Sequence, residues 1–263
     1  MSRPWRVSMR IPFVTANWKM NKTVSETLDY IDVFNTSEQV ESRIEVALAP
    51  PFTSLYPAAQ AASKTTTLIA GQDLHWEAEG AFTGQVSAVM LKEAGATYVI
   101  IGHSERRHIF GETDDDVNRK VHAAIENGLK PILCVGETLD DRETKKTMSV
   151  LDRQLATSLM NLPSDHINRL IVAYEPVWAI GTGHVATPEQ AQEVHAHIRL
   201  YIGQVYGQDA ANHCRIIYGG SVKQTNVAEI VSQPDVDGVL VGGASLEPKS
   251  FVQIVEKIAN SAL

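Results

Sequence analysis

Eight short aliphatic runs, separated by helix-like segments, constrain the fold of this sequence more than any other feature. They lie between Ile11 and Gly243: IPFVTANW, IEVALAP, TTLIAGQD, TYVIIG, KPILCVG, RLIVAYE, CRIIYGG and VDGVLVGG. Alternating strands and helices indicate a parallel sheet, whose strands are covered on both faces and so consist mainly of continuous Val, Ile and Leu. Eight such units without a linker or low-complexity tract favour a closed, eight-stranded parallel (β/α) barrel over an open doubly wound sheet.

The clearest helix-like segment lies at residues 188–206. Apolar residues fall on one face of it at three-to-four spacing: Ala191, Val194, Ile198, Tyr201 and Val205. Thr187 is placed to cap the first turn, Pro188 suits the first helical position, and Gln190 completes the spacing of a capping box. The pattern therefore predicts both the helix and its start.

Length and composition are compatible with one such barrel. The chain has 263 residues, of which 44% are hydrophobic and 21% are charged, which is enough apolar material for a sizeable core. We expect an N-terminal extension of unknown role at residues 1–10 and a single barrel domain at residues 11–263.

Charge and cysteine usage limit the classes of partner and compartment. The formal net charge of -8 argues against generic nucleic-acid binding, which requires clustered cations. Cys134 and Cys214 lie far apart beside aliphatic residues, so neither a disulfide nor a metal site is expected. The sequence shows no secretory signal and no run long enough to span a bilayer. We therefore expect a cytoplasmic enzyme or binding protein that holds any anionic substrate by local groups.

Polar residues or glycines of possible function stand at the carboxyl ends of the first, fourth, sixth, seventh and eighth predicted strands. Because the loops at these ends build the pocket of a barrel, such residues are candidates for catalysis. The candidates are Asn17, Lys19, His103, Glu105, Glu175, Ser221, Gly242 and Gly243.

Glu175 follows an apolar strand and precedes Pro176 and Trp178. These neighbours are expected to exclude water from the carboxylate and to raise its proton affinity, which would make it a plausible base. The alternative is a solvated loop glutamate in a surface ion pair.

His103 stands where the fourth predicted strand gives way to a loop, near the start of a short helix. A helix N-terminus disfavours protonation, and a neutral imidazole can donate a hydrogen bond to a substrate oxygen and take the proton back. A packing or surface histidine is the alternative.

Asn17 and Lys19 end the first predicted strand two residues apart, so strand alternation would place both side chains on one face. Lysine would supply a positive charge for an oxyanion or a phosphate, and Asn17 would orient the ammonium group. A solvated lysine at a strand end is the alternative.

Glycine pairs follow the seventh and eighth predicted strands, in YGGS and VGG. Bare backbone N–H groups at these positions would let a phosphate approach closely, and barrels often bind phosphate there. Tight turns are the alternative explanation for the glycines.

Four motifs together resemble the signatures of the triosephosphate isomerase family. They are NWKMN at 17–21, IGHSERR at 101–107, AYEPVWAIGTG at 173–183 and YGGS at 218–221, and the resemblance extends from Ile11 to the carboxyl terminus. It implies a TIM barrel that interconverts dihydroxyacetone phosphate and D-glyceraldehyde 3-phosphate through an enediolate. The reaction belongs to glycolysis and gluconeogenesis and needs no cofactor.

The resemblance also implies a role for each candidate residue. His103 would be the electrophile, Glu175 the base and Glu105 a supporting acid. Asn17 and Lys19 would contact the substrate. The residues implied to bind phosphate are Gly181, Ser221, Gly242 and Gly243.

Two further segments receive roles by the same resemblance. Residues 176–183, with a stiff Pro-Val-Trp start and a Gly-Thr-Gly end, look like a lid that closes over Glu175. The long loop at residues 71–87 would dock Thr83 near Lys19 and Met20 of the partner subunit in a homodimer. An exposed loop with internal packing is the alternative for the second segment.

Two other functions stay open at this point. One is a phosphate-binding barrel enzyme that acts on another sugar or ribosyl phosphate, and the other is a barrel that binds a ligand without catalysis. The first would lack the Asn-Lys, His and Glu constellation in these loops. The second would be expected to lose Glu175 or His103, and this chain keeps both.

Overall fold

The computed structural model describes residues 10–37, 44–180 and 185–261 of the chain, apart from the side chains of Thr36 and Ser37. That part of the chain contains eight strands: β1 Phe13–Asn17, β2 Glu45–Ala49, β3 Leu68–Gly71, β4 Tyr98–Ile101, β5 Lys130–Val135, β6 Ile171–Tyr174, β7 Arg215–Tyr218 and β8 Gly238–Val241. Every strand pairs in parallel with the next one along the chain, and β8 pairs with β1. The closed, eight-stranded parallel TIM barrel predicted from the sequence is confirmed.

Helices follow the strands and surround the barrel. Those in the described ranges are α1 Val24–Ser37, α2 Phe52–Ala62, α3 Ala88–Glu93, α4 Ser104–His108, α5 Asp114–Glu126, α6 Leu139–Glu143, α7 Thr147–Ser158, α8 Pro188–Tyr206, α9 Gln208–His213, α10 Val227–Val231 and α11 Pro248–Ser261. Short 3₁₀ turns span Ser164–Arg169, Val177–Ala179 and Gly243–Ser245. None of the helices in these ranges is both long enough and apolar enough to cross a membrane.

The strands bury both of their faces, which explains their continuous aliphatic composition. One set of side chains fills the barrel interior: Phe13, Ala47, Ala49, Ala70, Tyr98, Ile100, Ile132, Cys134, Ile171, Ala173, Ile217 and Leu240. The alternate strand residues, such as Val46 and Leu48, pack outward against the apolar faces of the helices. The barrel is therefore filled with side chains, and open space for a ligand must lie at its ends.

Helix α8 begins as predicted, but its buried face differs from the predicted one. The Thr187 side chain accepts a hydrogen bond from the backbone of Gln190, and the reciprocal bond of the capping box is also present. Val205, expected on the buried face, is 54% exposed, and Tyr201 is only half-buried. The helix instead buries His195 and Ile202, because the stripe that faces the barrel rotates away from the last turn.

Ion pairs support the barrel where β7 and β8 meet at their amino-terminal ends. Arg10 donates from Nε to Oδ1 of Asp237 at 2.7 Å, and Arg199 of α8 donates to Oδ2 at 2.6 Å. The same Oδ2 accepts the backbone N–H of Ile216 at 2.9 Å. Asp237 thus joins β7, α8 and the segment before β1. Residues 1–9 of the predicted extension lie outside the described residues, and the domain limits at 1–10 and 11–263 remain a prediction.

Candidate active site

The catalytic candidates predicted from the sequence meet at the carboxyl-terminal rim of the barrel. Asn17 is the last residue of β1, and Glu175 directly follows β6. His103 lies two residues after β4, and Gly242 directly follows β8. Parallel strands bring these ends to one side of the sheet, so residues far apart in the sequence become neighbours.

Glu175 and His103 face each other in the interior of the rim. Nε2 of His103 lies 3.0 Å from Oε1 of Glu175, and the Glu175 side chain is 2% exposed. The backbone N–H of Ser104, at the start of α4, donates to Oε2 at 2.8 Å. Among the described residues, Oε1 has no donor in hydrogen-bonding alignment. The carboxylate is therefore held at one oxygen and is less constrained at the other.

The pKa of Glu175 does not move in the direction expected from the sequence. Burial raises this pKa, as expected, but His103, the amide of Ser104 and the Lys19 ammonium group lower it and together outweigh burial. The pKa therefore lies below its ordinary value. The expectation of a raised proton affinity was wrong, since it counted the loss of water and not the donors that replace it.

His103 caps the N-terminus of α4, as the sequence suggested. Its Nδ1 accepts a hydrogen bond from the backbone N–H of Glu105 at 3.2 Å. This bond favours the tautomer with its proton on Nε2, toward Glu175. Burial lowers the pKa of His103, but the adjacent Glu175 carboxylate raises it and prevails in this arrangement. The expected lowering therefore does not hold while the carboxylate faces the ring.

Lys19 reaches the site by a different backbone path from the predicted one. Strand β1 ends at Asn17, and Lys19 has a left-handed backbone with φ of 54°. Oδ1 of Asn17 accepts the backbone N–H of Lys19 at 3.0 Å, so Asn17 orients the lysine backbone and not its ammonium group. Nζ of Lys19 pairs with Oε1 of Glu105 at 2.6 Å. A left-handed lysine is strained, which is typical of residues held for a function.

Gln72 is a further residue at this rim that the sequence reasoning missed. It follows β3, and its Nε2 donates to the carbonyl oxygens of both Lys19 and Ala49 at 2.8 Å. These two bonds hold the left-handed segment against the end of β2. The signal was present in the sequence, since Gln72 is a polar residue at a strand end like the other candidates.

The glycine-rich ends of β7 and β8 flank the same space. A Cβ atom at Gly242 would lie 3.6 Å from Cε of Lys19, and one at Gly219 would lie 2.9 Å from Cγ of Glu175. Gly243 begins the 3₁₀ turn after β8, with no atom within 4 Å of a Cβ position there. The Ser221 carbonyl oxygen accepts a bond from the Asn226 side chain at 3.0 Å. Gly181, the remaining predicted phosphate ligand, lies outside the described residues.

Comparison with known proteins agrees with this geometry. The family model described as Triosephosphate isomerase matches residues 12–258. The chain belongs to the triosephosphate isomerase family. It is 50% identical to a triosephosphate isomerase of Trichlorobacter lovleyi and 51% identical to those of Citrifermentans bemidjiense and Moorella thermoacetica. Each match covers 94% of this chain and 98% of the relative. The resemblance of the four motifs is confirmed, and the chain is an isomerase of this family.

The start of the predicted lid is anchored on a buried carboxylate in this isomerase. Nε1 of Trp178 donates to Oε1 of Glu137 at 2.9 Å, and the Tyr174 hydroxyl donates to the same oxygen at 3.1 Å. Arg142 pairs with that oxygen at 3.1 Å and also lies over the Trp178 ring. Glu137 is another polar residue at a strand end, two residues after β5, that the sequence reasoning missed. The Gly-Thr-Gly segment at 181–183 lies outside the described residues.

Gln154 of α7 supports the backbone behind Glu175. Its Oε1 accepts the N–H of Gly136 at 2.8 Å, and its Nε2 donates to the carbonyl oxygen of Gly136 at 3.1 Å. A Cβ atom at Gly136 would lie only 1.7 Å from the backbone oxygen of Glu175, so no other residue fits there. The backbone N–H of Glu175 also donates to the backbone carbonyl oxygen of Val135 at 2.8 Å. A helical glutamine gives no sequence signal for this role.

The long loop predicted after β3 spans the residues between Gly71 and Ala88. Within it, the His75 ring packs against Trp76 and Phe82 at centroid distances of 4.3 and 4.2 Å. Thr83 is exposed at the surface of this loop. Internal packing therefore orders the loop and leaves its tip free to contact another molecule.

Proposed function

We propose that this isomerase interconverts dihydroxyacetone phosphate and D-glyceraldehyde 3-phosphate at the carboxyl-terminal rim. The observation that carries the proposal is the approach of Glu175 and His103 to 3.0 Å, inside a rim that also holds the Lys19 ammonium group. A base, a hydrogen-bond donor and a cation together assist proton transfer beside a carbonyl, since they accept the proton and stabilise the developing oxyanion. The names of the relatives support the choice of triose phosphates as substrates.

Glu175 acts as the base. Because its pKa is lowered, the group is a carboxylate at neutral pH and can accept a proton. It removes a proton from the carbon beside the substrate carbonyl, which leaves an enediolate, and then returns the proton to the neighbouring carbon. The oxygen that lacks an aligned donor, Oε1, is the one placed to turn toward substrate.

His103 polarises the substrate carbonyl through Nε2. Once the Glu175 carboxylate turns to the substrate, the main cause that raises the pKa of His103 is removed. Burial and the Lys19 ammonium group, which both lower that pKa, then favour a neutral ring, as does the N-terminus of α4. A neutral ring with its proton on Nε2 can donate to the developing oxyanion and recover the proton later.

Lys19 stabilises the negative charge of the enediolate, and Asn17 contributes by fixing the lysine backbone. Glu105 acts as a supporting acid that holds the ammonium group at 2.6 Å before an anion arrives. Both side chains of this pair are partly exposed, so the pair costs little to open. Substrate can therefore replace Glu105 as the partner of Lys19.

The phosphate binds to backbone N–H groups near Ser221, Gly242 and Gly243, with Gly181 joining from the lid. Amide dipoles and one lysine suffice to hold a dianion although the chain has a net charge of -8. A lid over Glu175 would exclude water, strengthen the electrostatic interactions and protect the intermediate from losing its phosphate. The anchored Trp178 is the starting point of that lid.

A coupled assay with D-glyceraldehyde 3-phosphate tests the activity, and Glu175→Asp tests the base. The shorter side chain withdraws the carboxylate by about 1 Å, which is expected to lower kcat by on the order of 100-fold. Glu256→Asp, at an exposed position on α11, is the matched control and should not change kcat. Unchanged turnover in Glu175→Asp would show that another group is the base.

His103→Gln separates chemistry from phosphate binding. The variant should slow turnover because a glutamine amide can donate a hydrogen bond but cannot give up and recover a proton as an imidazole can. The inhibition constant of inorganic phosphate should change little, since the phosphate is held at other loops. A large loss of phosphate affinity together with normal kcat would contradict the electrophile role.

We also propose a cytoplasmic homodimer in which the loop around Thr83 docks near Lys19 and Met20 of the partner subunit. The exposed apolar side chains of Met20, Phe82, Ile109 and Phe110 support it, and Met20 is 94% exposed in the single chain. Sedimentation velocity at micromolar concentration should show a dimer, and Thr83→Arg should weaken it. A wild-type protein that sediments only as a monomer would refute this part of the proposal.

A further inference from the structure

Tyr30 of α1 connects the first helix of the barrel with the turn that follows its last strand. The side chain is 3% exposed, and its hydroxyl donates to the carbonyl oxygen of Ser245 at 2.9 Å. Burial raises the pKa of Tyr30, so the hydroxyl keeps its proton and stays a donor. The hydroxyl therefore remains available to donate to Ser245 at neutral pH.

Aromatic neighbours fix the position of the Tyr30 ring. Trp18 meets it edge-on at a centroid distance of 4.6 Å, and Phe34 stacks against it at 6.1 Å. Phe34 in turn stacks on Phe251 of α11 at 5.5 Å. Because the ring is held on several sides, its hydroxyl can act as a fixed support for the turn.

Ser245 determines how the turn after β8 presents its amides. Its backbone N–H and its hydroxyl both donate to the carbonyl oxygen of Gly242, at 2.8 and 2.7 Å. The hydroxyl also lies 3.1 Å from the carbonyl oxygen of Val241. In a trans peptide the N–H points opposite to the C=O. The N–H groups of Gly242 and Gly243 are therefore directed away from Ser245.

The open side of this turn is the side that faces the catalytic rim. A Cβ atom at Gly242 would lie 3.6 Å from Cε of Lys19, and a Cβ atom at Gly243 would meet nothing within 4 Å. The two glycines of this turn therefore border free space beside the ammonium group. The geometry of the turn depends on Ser245, and Ser245 is held from behind by Tyr30.

We propose that Tyr30 is a positioning residue for the phosphate-binding turn. It touches no substrate atom and acts through Ser245, which aims the amides of Gly242 and Gly243. The inference rests on the proposed function, because it takes the phosphate of the substrate as the group that those amides bind.

Tyr30→Phe tests the role, since it removes the hydroxyl and keeps the ring packing. Loss of one buried hydrogen bond is expected to raise the inhibition constant of inorganic phosphate by about 5-fold. KM for D-glyceraldehyde 3-phosphate should rise in parallel, and kcat should stay within about 2-fold because Glu175 and His103 are not displaced.

Tyr206→Phe is the matched control. The Tyr206 hydroxyl also donates to a backbone carbonyl oxygen, that of Leu159 at 2.7 Å, but far from the turn. Because Tyr206 is half-buried, this variant should lose less thermal stability than Tyr30→Phe, and it should keep the wild-type inhibition constant. An equal loss of phosphate affinity in both tyrosine variants would indicate a general loosening of the fold and would overturn the proposal.

Ser245→Ala distinguishes the positioning role from the proposed phosphate site. The variant removes the hydroxyl bonds that hold the two carbonyl groups of the turn. If it raises the inhibition constant and Tyr30→Phe does not, the phosphate site stands and the role of Tyr30 is refuted. If neither variant raises it, or if phosphate does not inhibit the wild-type enzyme, both proposals are refuted.

Discussion

The buried imidazole of His195 is expected to make the fold less stable as the pH falls from neutral to about 4. His195 lies on α8 with no solvent exposure, and its imidazole ring contacts the rings of Tyr174 and Tyr218. Nδ1 lies 3.2 Å from the carbonyl oxygen of Asp235, and Nε2 has no partner among the described residues. Burial is the main cause that lowers the pKa of His195, to about 4.

The sign and size of the effect follow from this pKa. In the unfolded chain this histidine binds a proton below a pH of about 6.5, whereas in the folded chain it stays neutral down to a pH of about 4. Stability is therefore lost as the pH falls through that window. The loss relative to about pH 7.5 amounts to about 2 kcal/mol at pH 5 and about 3 kcal/mol at pH 4.

Urea unfolding between about pH 4 and pH 7.5 measures this contribution as a difference between variants. His195→Gln should lower the free energy of unfolding at neutral pH. Between about pH 7.5 and pH 4 this free energy should fall by about 3 kcal/mol less in the variant than in the wild type. Ile202→Val, on the same buried face of α8, is the control and should lower stability by a constant amount at every pH. Parallel profiles for the wild type and His195→Gln would refute the reasoning.

Three further substitutions test contacts around the site. Trp178→Phe removes one of the three donors to Oε1 of Glu137 and should lower kcat/KM by about 5-fold in the coupled assay, because the proposed lid loses one of its fixed contacts. Gln154→Met leaves both polar groups of Gly136 without a partner and should cost about 2 kcal/mol or more in urea unfolding. Gly238→Ala should fail to yield soluble protein, since the alanine Cβ would lie 1.8 Å from the backbone oxygen of Phe13 in β1 and the φ of 145° at residue 238 disfavours any side chain.

Much of the architecture could be predicted because short stretches of sequence determine the local structure that they form. Thr187, Pro188 and Gln190 specify a helix start without reference to the rest of the chain. Continuous aliphatic runs likewise report burial on both faces of a strand. The convergence of His103 and Glu175 then follows from topology, because parallel strands of a barrel end on one side.

The remaining features depend on contacts that no local pattern encodes. The pKa of Glu175 is set by the donors that face it, and these come from another strand and helix. Lys19 leaves the strand path through a left-handed backbone, which the sequence does not indicate for a lysine. Gln154 and Tyr30 act from the outer helices, where the sequence rule for barrel sites assigns no function.

The ion pair between Arg10 and Asp237 has a practical consequence for handling the enzyme. Arg10 is tied beside the start of β8, so the chain enters the barrel on the side opposite to the mouth that contains Glu175. A surface linker that replaces the residues ahead of Arg10 would thus begin on the far side from the substrate entrance. Immobilisation through a short linker joined directly to Arg10 would leave that entrance facing the solution.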